Sequence, residues 1–436
     1  MGTVAAPRPA PAPAEPPAEE FPLLRIVRNR RTWLLGGLLL VLLVAVREIT
    51  HSTEITSSGT FGAALMLTIP ILLAGLGGLF SERTGVVNVG LEGMMILGTW
   101  FGAWAGWKYG PWWGLVGGVL AGGLGGLLHA VACVTFGINQ IVSGVAINIL
   151  AGGVVRFLSV VAYSPATGGS AAQSPQVRGT IGGASLPFLS GGVLFGWHSP
   201  NPLAWLEARH WFLASDLGGL LRGLTSNVAW LTIIALALVP LTYWFLWKTP
   251  LGLRMRSAGE HPVAAESLGI RVYSMKYLGV AISGCLAGYA GAFLVLQTAG
   301  IYREGQTGGR GFIGLAAMIS GNWRPGGVAA AAGLFGYADA LQLRSDPAIH
   351  GLLLFVAIAL GLAAAWLLAR RRVRAGTVAG LVGIGAFSWF LTSTSVPSQF
   401  VFFTPHLTTL LVLSFASRRL RMPAADGKAY RRGQTQ

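Results

Sequence analysis

Apolar runs of about 20 residues, the length a helix needs to cross a bilayer, follow one another along most of the chain with short polar breaks between them. The runs are Trp33–Val46, Phe61–Phe80, Val89–Trp107, Trp112–Phe136, Ile141–Ala162, Val228–Trp247 and Tyr277–Ala299. They continue as Gly309–Gly321, Gly326–Leu343, Leu352–Ala369, Thr377–Thr394 and Phe400–Ala416. The pattern predicts an all-α, polytopic transmembrane helix bundle of about 10–12 crossings, some of them short or discontinuous.

Cations test the topology, because they gather on the cytoplasmic side. With Arg25–Arg31 inside, successive crossings place Ser81–Arg83, Gly137–Asn139 and Lys248–Lys276 inside as well. The last of these holds Lys248, Arg254, Arg256, Arg271 and Lys276. Counting Gly309–Gly321 and Gly326–Leu343 as two crossings keeps Arg324, Arg370–Arg374 and Arg418–Arg421 on that side, whereas one long span would put the Arg370 cluster outside. The charge rule therefore favours two half-helices meeting near Asn322–Pro325, with both termini cytoplasmic. The domain plan that follows is a disordered Pro/Ala/Glu-rich tail over 1–31 and a transmembrane domain over 32–421. Within the latter lie an external loop at 164–227 with room for a short lateral helix, a cytoplasmic loop at 248–276 and an added pair of apolar segments at 349–398. A cytoplasmic tail over 422–436 ends the chain.

Composition sharpens this picture. Hydrophobic residues make up 53% of the chain and charged ones 11%, with mean hydropathy +0.62. A soluble domain carries about 25% charged residues. The 63 glycines would weaken a soluble fold but let membrane helices approach closely. A net charge of +16 would suggest nucleic acid in a soluble protein. Here the cations flank apolar runs, so lipid is the better partner and nucleic acid is not expected. Cys133 and Cys285 lie within apolar segments without a CxxC partner and read as small buried residues. No secretory signal peptide is evident at the start.

Three polar motifs interrupt the apolar pattern. The first, Ser81-Glu82-Arg83-Thr84-Gly85-Val86-Val87-Asn88-Val89-Gly90-Leu91-Glu92-Gly93, sets carboxylates, an arginine and an asparagine at the start of an apolar segment. Glu92 is costly in hydrocarbon and must face protein, water or a partner. It reads either as part of a gate or substrate path, or as a structural ion and hydrogen-bond network; chemistry alone favours the network. The second spans Glu260–Gly269, where Pro262 suits the first turn of a helix and Gly269 its end. This bracketed helix reads as a coupling helix that takes force from a soluble motor, with Ala264, Ala265 and Leu268 free to dock. An ordinary linker helix on the membrane surface is the alternative. In the third, Tyr302–Ile319, dense glycine precedes a short apolar segment, as in a discontinuous helix whose N-terminus faces a polar ligand.

Absent motifs narrow the function further. The chain contains no GxxxxGK[ST], so any ATP that drives it must bind another subunit, and no cofactor is expected on this one. HExxH and GxSxG are also missing, which argues against an enzyme. His129, at an apolar position, reads as a packed or hydrogen-bonded residue rather than a ligand.

At these motifs the chain resembles the permeases of ABC-type nucleoside and simple-sugar importers, in the larger group that includes ribose and branched-chain amino acid permeases. The residues that carry the resemblance are Gly78–Met95, Gly252-Leu253-Arg254, Gly259–Pro262, Ala264–Ile270, Gly309–Ala317 and Phe335–Arg344, with Thr404–Leu407 and Pro423–Tyr430 near the C-terminus. The resemblance implies a prokaryotic cell-membrane importer that uses a separate ATPase subunit, a second related permease and an extracytoplasmic solute-binding lipoprotein. It places ATPase coupling at Glu260, Pro262, Ala264, Ala265, Glu266, Leu268 and Gly269. As polar groups near the translocation path, the sequence offers Asn88, Glu92 and Asp339. Other small solutes, such as branched-chain amino acids, and an ion-coupled secondary transporter are the competing readings; the latter would use Glu92, Arg156, Asp339 or Arg344.

Overall fold

The computed structural model describes residues 30–194, 196–343, 346–394, 396–397 and 420–433. The expected crossing at Phe400–Ala416, nearly all of the N-terminal tail, Arg344 and Thr404–Leu407 lie outside these residues. Residues up to Leu40 form one unit, helical where described, and Val41 onward forms a second.

Helices follow the apolar runs closely. They are α1 (Arg30–Thr50), α2 (Ser58–Arg83), α3 (Leu91–Tyr109), α4 (Pro111–Ala130) and α5 (Gln140–Ala162). After the segment 164–227 come α8 (Trp230–Lys248), α9 (Pro250–Glu260), α10 (Pro262–Ser267) and α11 (Val272–Phe293). Then follow α12 (Arg310–Ser320), α13 (Pro325–Gln342), α14 (Asp346–Ala369) and α15 (Val373–Thr392). Local signals fix the starts: the Ser57 hydroxyl accepts from Thr60 N–H, Asn139 caps α5 and Thr249 caps α9. Pro250, Pro262 and Pro325 sit in first turns, where no intrahelical donor is lost. Both α4 and α11 end in π-helical turns, Val131–Thr135 and Leu294–Ala299.

Among the described residues, seven helices are long and apolar enough to cross a membrane, fewer than the 10–12 crossings expected. At 11 residues, α12 is about 16 Å long, roughly half a hydrocarbon core. It is joined to α13 by the turn Gly321–Arg324, where Asn322 and Trp323 have φ of 55° and 51°. The break expected at Asn322–Pro325 is therefore present, but α12 alone has half-helix length: α13, at 18 residues, is about 27 Å long.

Helix α2 is the hub, almost wholly buried against α11, α12, α13 and α7 (Ala214–Thr225). Glycine lets the next layer close. A Cβ on Gly288 of α11 would lie 2.2 Å from the Gly118 carbonyl oxygen of α4, and one on Gly98 of α3 would lie 2.3 Å from the Gly288 carbonyl oxygen. Backbone thus touches backbone along the α3/α4/α11 seam. By contrast, α5 and the α14–α15 hairpin leave most of their apolar side chains uncovered, as lipid-facing helices do.

The segment 164–227 is more ordered than its composition suggests. It holds α6 (Pro202–Glu207) and α7, with two short antiparallel pairs, Gly183–Ala184 on Val228–Ala229 and Val193–Leu194 on Trp197–His198. Helix α7 is fastened inward: Asp216 accepts from the Thr56 hydroxyl and pairs with Arg47 at 3.1 Å. Glu207 accepts from Ser58 N–H at 2.9 Å and pairs with Arg222 at 2.8 Å.

Candidate functional site

Between α2 and α3 the chain leaves helical geometry for residues 84–90 while remaining buried. Backbone of this kind survives among membrane helices only if protein groups satisfy it. They do so here. Ser81 Oγ donates to the Val86 carbonyl (2.5 Å), Lys276 Nζ to Gly85 (2.9 Å) and Asn148 Nδ2 to Val89 (3.0 Å). Gln140 accepts from Val87 N–H at 2.6 Å, and His129 Nε2 lies 3.0 Å from the Val87 oxygen. His129 also meets Ser143 Oγ at 2.9 Å, so both ring nitrogens have protein partners.

Glu92 lies in the first turn of α3 and is 7% exposed. Its carboxylate accepts from Gly309 N–H at 3.0 Å and Gly311 N–H at 2.7 Å, capping the start of α12. Two helices thus begin at one carboxylate, and Cβ atoms have no room there: one on Gly311 would lie 2.6 Å from the Glu92 nitrogen. Between those two glycines, Arg310 pairs with Asp339 of α13 at 2.7 Å. Glu92 and Asp339, far apart in sequence, therefore converge on three consecutive residues. Asn88 lies elsewhere: it is fully buried, donates to Ser283 Oγ of α11 at 2.9 Å and accepts from Gly90 N–H at 3.1 Å.

The first motif also holds the other end of α12. The Arg83 guanidinium donates twice to the Trp323 carbonyl, at 3.2 and 2.7 Å, and Trp323 Nε1 donates to Glu82 at 2.5 Å. The turn between α12 and α13 is pinned to the end of α2, and Arg83 reaches on to Glu260 at 3.7 Å.

Glu260 ends α9, and α10 follows as the short helix expected between Pro262 and Gly269, the latter at φ +81°. The seven coupling positions do not share one environment. Leu268 is 82% exposed, and Ala264 and Gly269 also face out. Pro262 and Ala265 are buried, Ala265 at 3% exposure against Ala258 and Val272, so Ala265 is a core residue rather than a docking one. Glu260 and Glu266 are engaged by residues 420–433, which fold back across this face where a free tail was expected. Ala424 N–H donates to Glu260 at 3.1 Å; Tyr430 OH and Arg432 (2.8 Å) donate to Glu266.

Asp426 is buried in this segment beside Glu82, Lys276 and Arg83. Burial pushes its carboxyl up to about 6, against the pull of Lys276 and Arg83. The folded protein therefore holds this proton more tightly than the unfolded chain. The group's contribution to stability is greatest below its unfolded value near 4 and declines as pH rises through about 6. Asp426→Asn should gain stability relative to wild type between pH 4 and 7, by at most about 3 kcal/mol. Unfolding in detergent across that range checks this; a pH-independent difference would refute it.

Sequence reading missed Gln140, Asn148, Lys276 and Arg310. Gln140, Gly144 and Asn148 recur at a spacing of four in an otherwise apolar helix, which was the available signal. Lys276 and Arg310 read only as topology markers or parts of a glycine run. Among the described residues, no group of three or more His, Cys, Asp or Glu is placed to hold a metal ion. The geometry is instead that of a short helix, α12, held at its start by Glu92 and at its end by Glu82 and Arg83, and packed against α2, α3 and α13.

Comparison with known proteins bears on this arrangement. The family model described as branched-chain amino acid transport system / permease component matches residues 60–362, more than half of the chain. The guanosine ABC transporter permease protein NupQ of Bacillus subtilis is 37% identical over 288 residues, covering 64% of this chain and 81% of that protein. The nucleoside ABC transporter permease protein NupC of Lactococcus lactis subsp. cremoris is 31% identical over 373 residues, covering 84% and 94%. A Haloferax volcanii permease, TsgC13, whose name proposes glucose as the solute, is 33% identical over 382 residues, covering 86% and 98%. No solved structure matches the chain.

Proposed function

The chain belongs to the family of branched-chain amino acid transport system permease components, and from that premise we propose that it imports nucleosides as one permease subunit of an ATP-binding-cassette transporter of the cell membrane. It is a transport component, and ATP is hydrolysed on a separate subunit. The observation that carries the solute class is the 37% and 31% identity to permeases named for guanosine and nucleosides. The ATPase docks on the outward face of α10, led by Leu268; a second permease and an external solute-binding lipoprotein complete the assembly. Hydrolysis alternates access by moving α12 and α13 against α2 and α3.

Uptake of labelled guanosine by the reconstituted transporter tests the solute. Competition by unlabelled nucleosides supports the proposal, and competition by glucose alone replaces it with the sugar reading that the 33% identity to TsgC13 favours. Docking is tested by Leu268→Asp. Losing the contact of one buried leucine and placing a charge there should weaken ATPase association at least about tenfold. The folded permease should then lose co-purifying ATPase and uptake together. Full uptake by a well-folded Leu268→Asp protein would move the docking site elsewhere.

A further inference from the structure

We propose that residues 421–432 form a strap that ties the coupling helix α10 to the turn between α12 and α13, so that force delivered to α10 reaches α12 and α13. The inference rests on the reading of α10 as the ATPase docking helix.

The strap touches five separate stretches of the chain in order. Arg421 N–H donates to Asn322 Oδ1 (2.7 Å), in the turn that Arg83 and Glu82 already pin through Trp323. Ala424 N–H donates to Glu260, and Ala425 N–H to the Gly259 carbonyl at 2.9 Å, at the end of α9. Asp426 is buried beside Glu82, at the end of α2. Gly427, at φ +75°, turns the chain so that the Tyr430 ring meets Tyr273 of α11 with centroids 5.7 Å apart. Tyr430 OH and Arg432 then hold Glu266 of α10.

Helix α10 has six residues and few buried side chains, so its own packing is too slight to transmit a load. A short polar segment that bonds both α10 and the Asn322 turn supplies the missing connection. It also gives a role to Glu260, at the end of α9, and to Glu266, on α10: they are attachment points for the strap, while Leu268 meets the partner. These are positioning residues, argued to act through α10 and the Asn322 turn.

The test uses the complete transporter in proteoliposomes, with the solute moved per ATP hydrolysed as the readout. Tyr430→Phe combined with Arg432→Ala should leave ATPase co-purification and the permease melting temperature close to wild type. Solute moved per ATP should fall about fivefold, about 1 kcal/mol, the size expected of a solvent-exposed ion pair such as Arg432–Glu266. Glu266→Gln, which keeps size and one acceptor, should shift the ratio in the same direction by less. A strap that merely stabilises the fold would lower melting temperature, hydrolysis and uptake in parallel and leave the ratio unchanged. An unchanged ratio in both variants overturns the proposal. Leu268→Asp is measured alongside: intact docking there overturns the reading of α10 itself, a failure distinct from that of the strap.

Discussion

Glu92→Ala is expected to abolish uptake and to lower the stability of the permease by about 3–5 kcal/mol. The figure follows from the two backbone donors the carboxylate serves, Gly309 and Gly311. Each hydrogen bond to a charged acceptor is worth about 1.5–3 kcal/mol, and burial denies the orphaned N–H groups a water in exchange. The carboxylate also faces the positive end of α12, a further contribution of up to about 2 kcal/mol in a partly buried setting. Glu92→Gln keeps one acceptor but loses the charge, and should fall between wild type and Ala. Thermal unfolding in detergent and uptake in proteoliposomes measure the two effects. An Ala variant as stable as wild type would mean that Glu92 does not hold α12.

The second large effect is steric. Gly288→Val should prevent the folded permease from accumulating, because its Cβ would meet the Gly118 carbonyl oxygen at 2.2 Å with backbone on both sides of the contact. Overpacking usually costs about 1–3 kcal/mol where side chains can yield. Here neither partner has a side chain to move, so α4 and α11 must separate along their length. Gly153→Ala in α5 is the matched control, since a Cβ there meets nothing within 4 Å. It should be neutral or gain up to about 1 kcal/mol from helix propensity. Detergent-extracted yield and size-exclusion profiles distinguish the two, and equal yields would show that the seam is looser than the distances imply.

Much of the architecture was readable because membrane helices announce themselves by uninterrupted apolar length. The division at Asn322–Pro325 came from charge placement, which constrains every crossing after it, and Pro262 with Gly269 bracketed α10 by backbone chemistry alone. What stayed hidden depends on partners remote in sequence. Glu92 finds its donors 217 residues away, so the sequence could offer a gate or a network but not a helix cap. The C-terminal segment is short, polar and aperiodic, with contacts 164 residues back, and read as a tail. Ala265 looked available because a six-residue helix carries too little pattern to say which face is covered. The π turns of α4 and α11 alter hydrogen bonding without altering composition, and so leave no trace in hydropathy.

The meeting of α3 and α12 at Glu92 has an electrostatic consequence. A helix N-terminus carries about half a positive elementary charge, so two of them amount to about one, which the single carboxylate offsets. Arg310 and Asp339 likewise cancel each other beside it. The junction therefore carries several formal charges yet almost no monopole, so the two helix starts are held together without a counter-charge drawn from solvent or lipid.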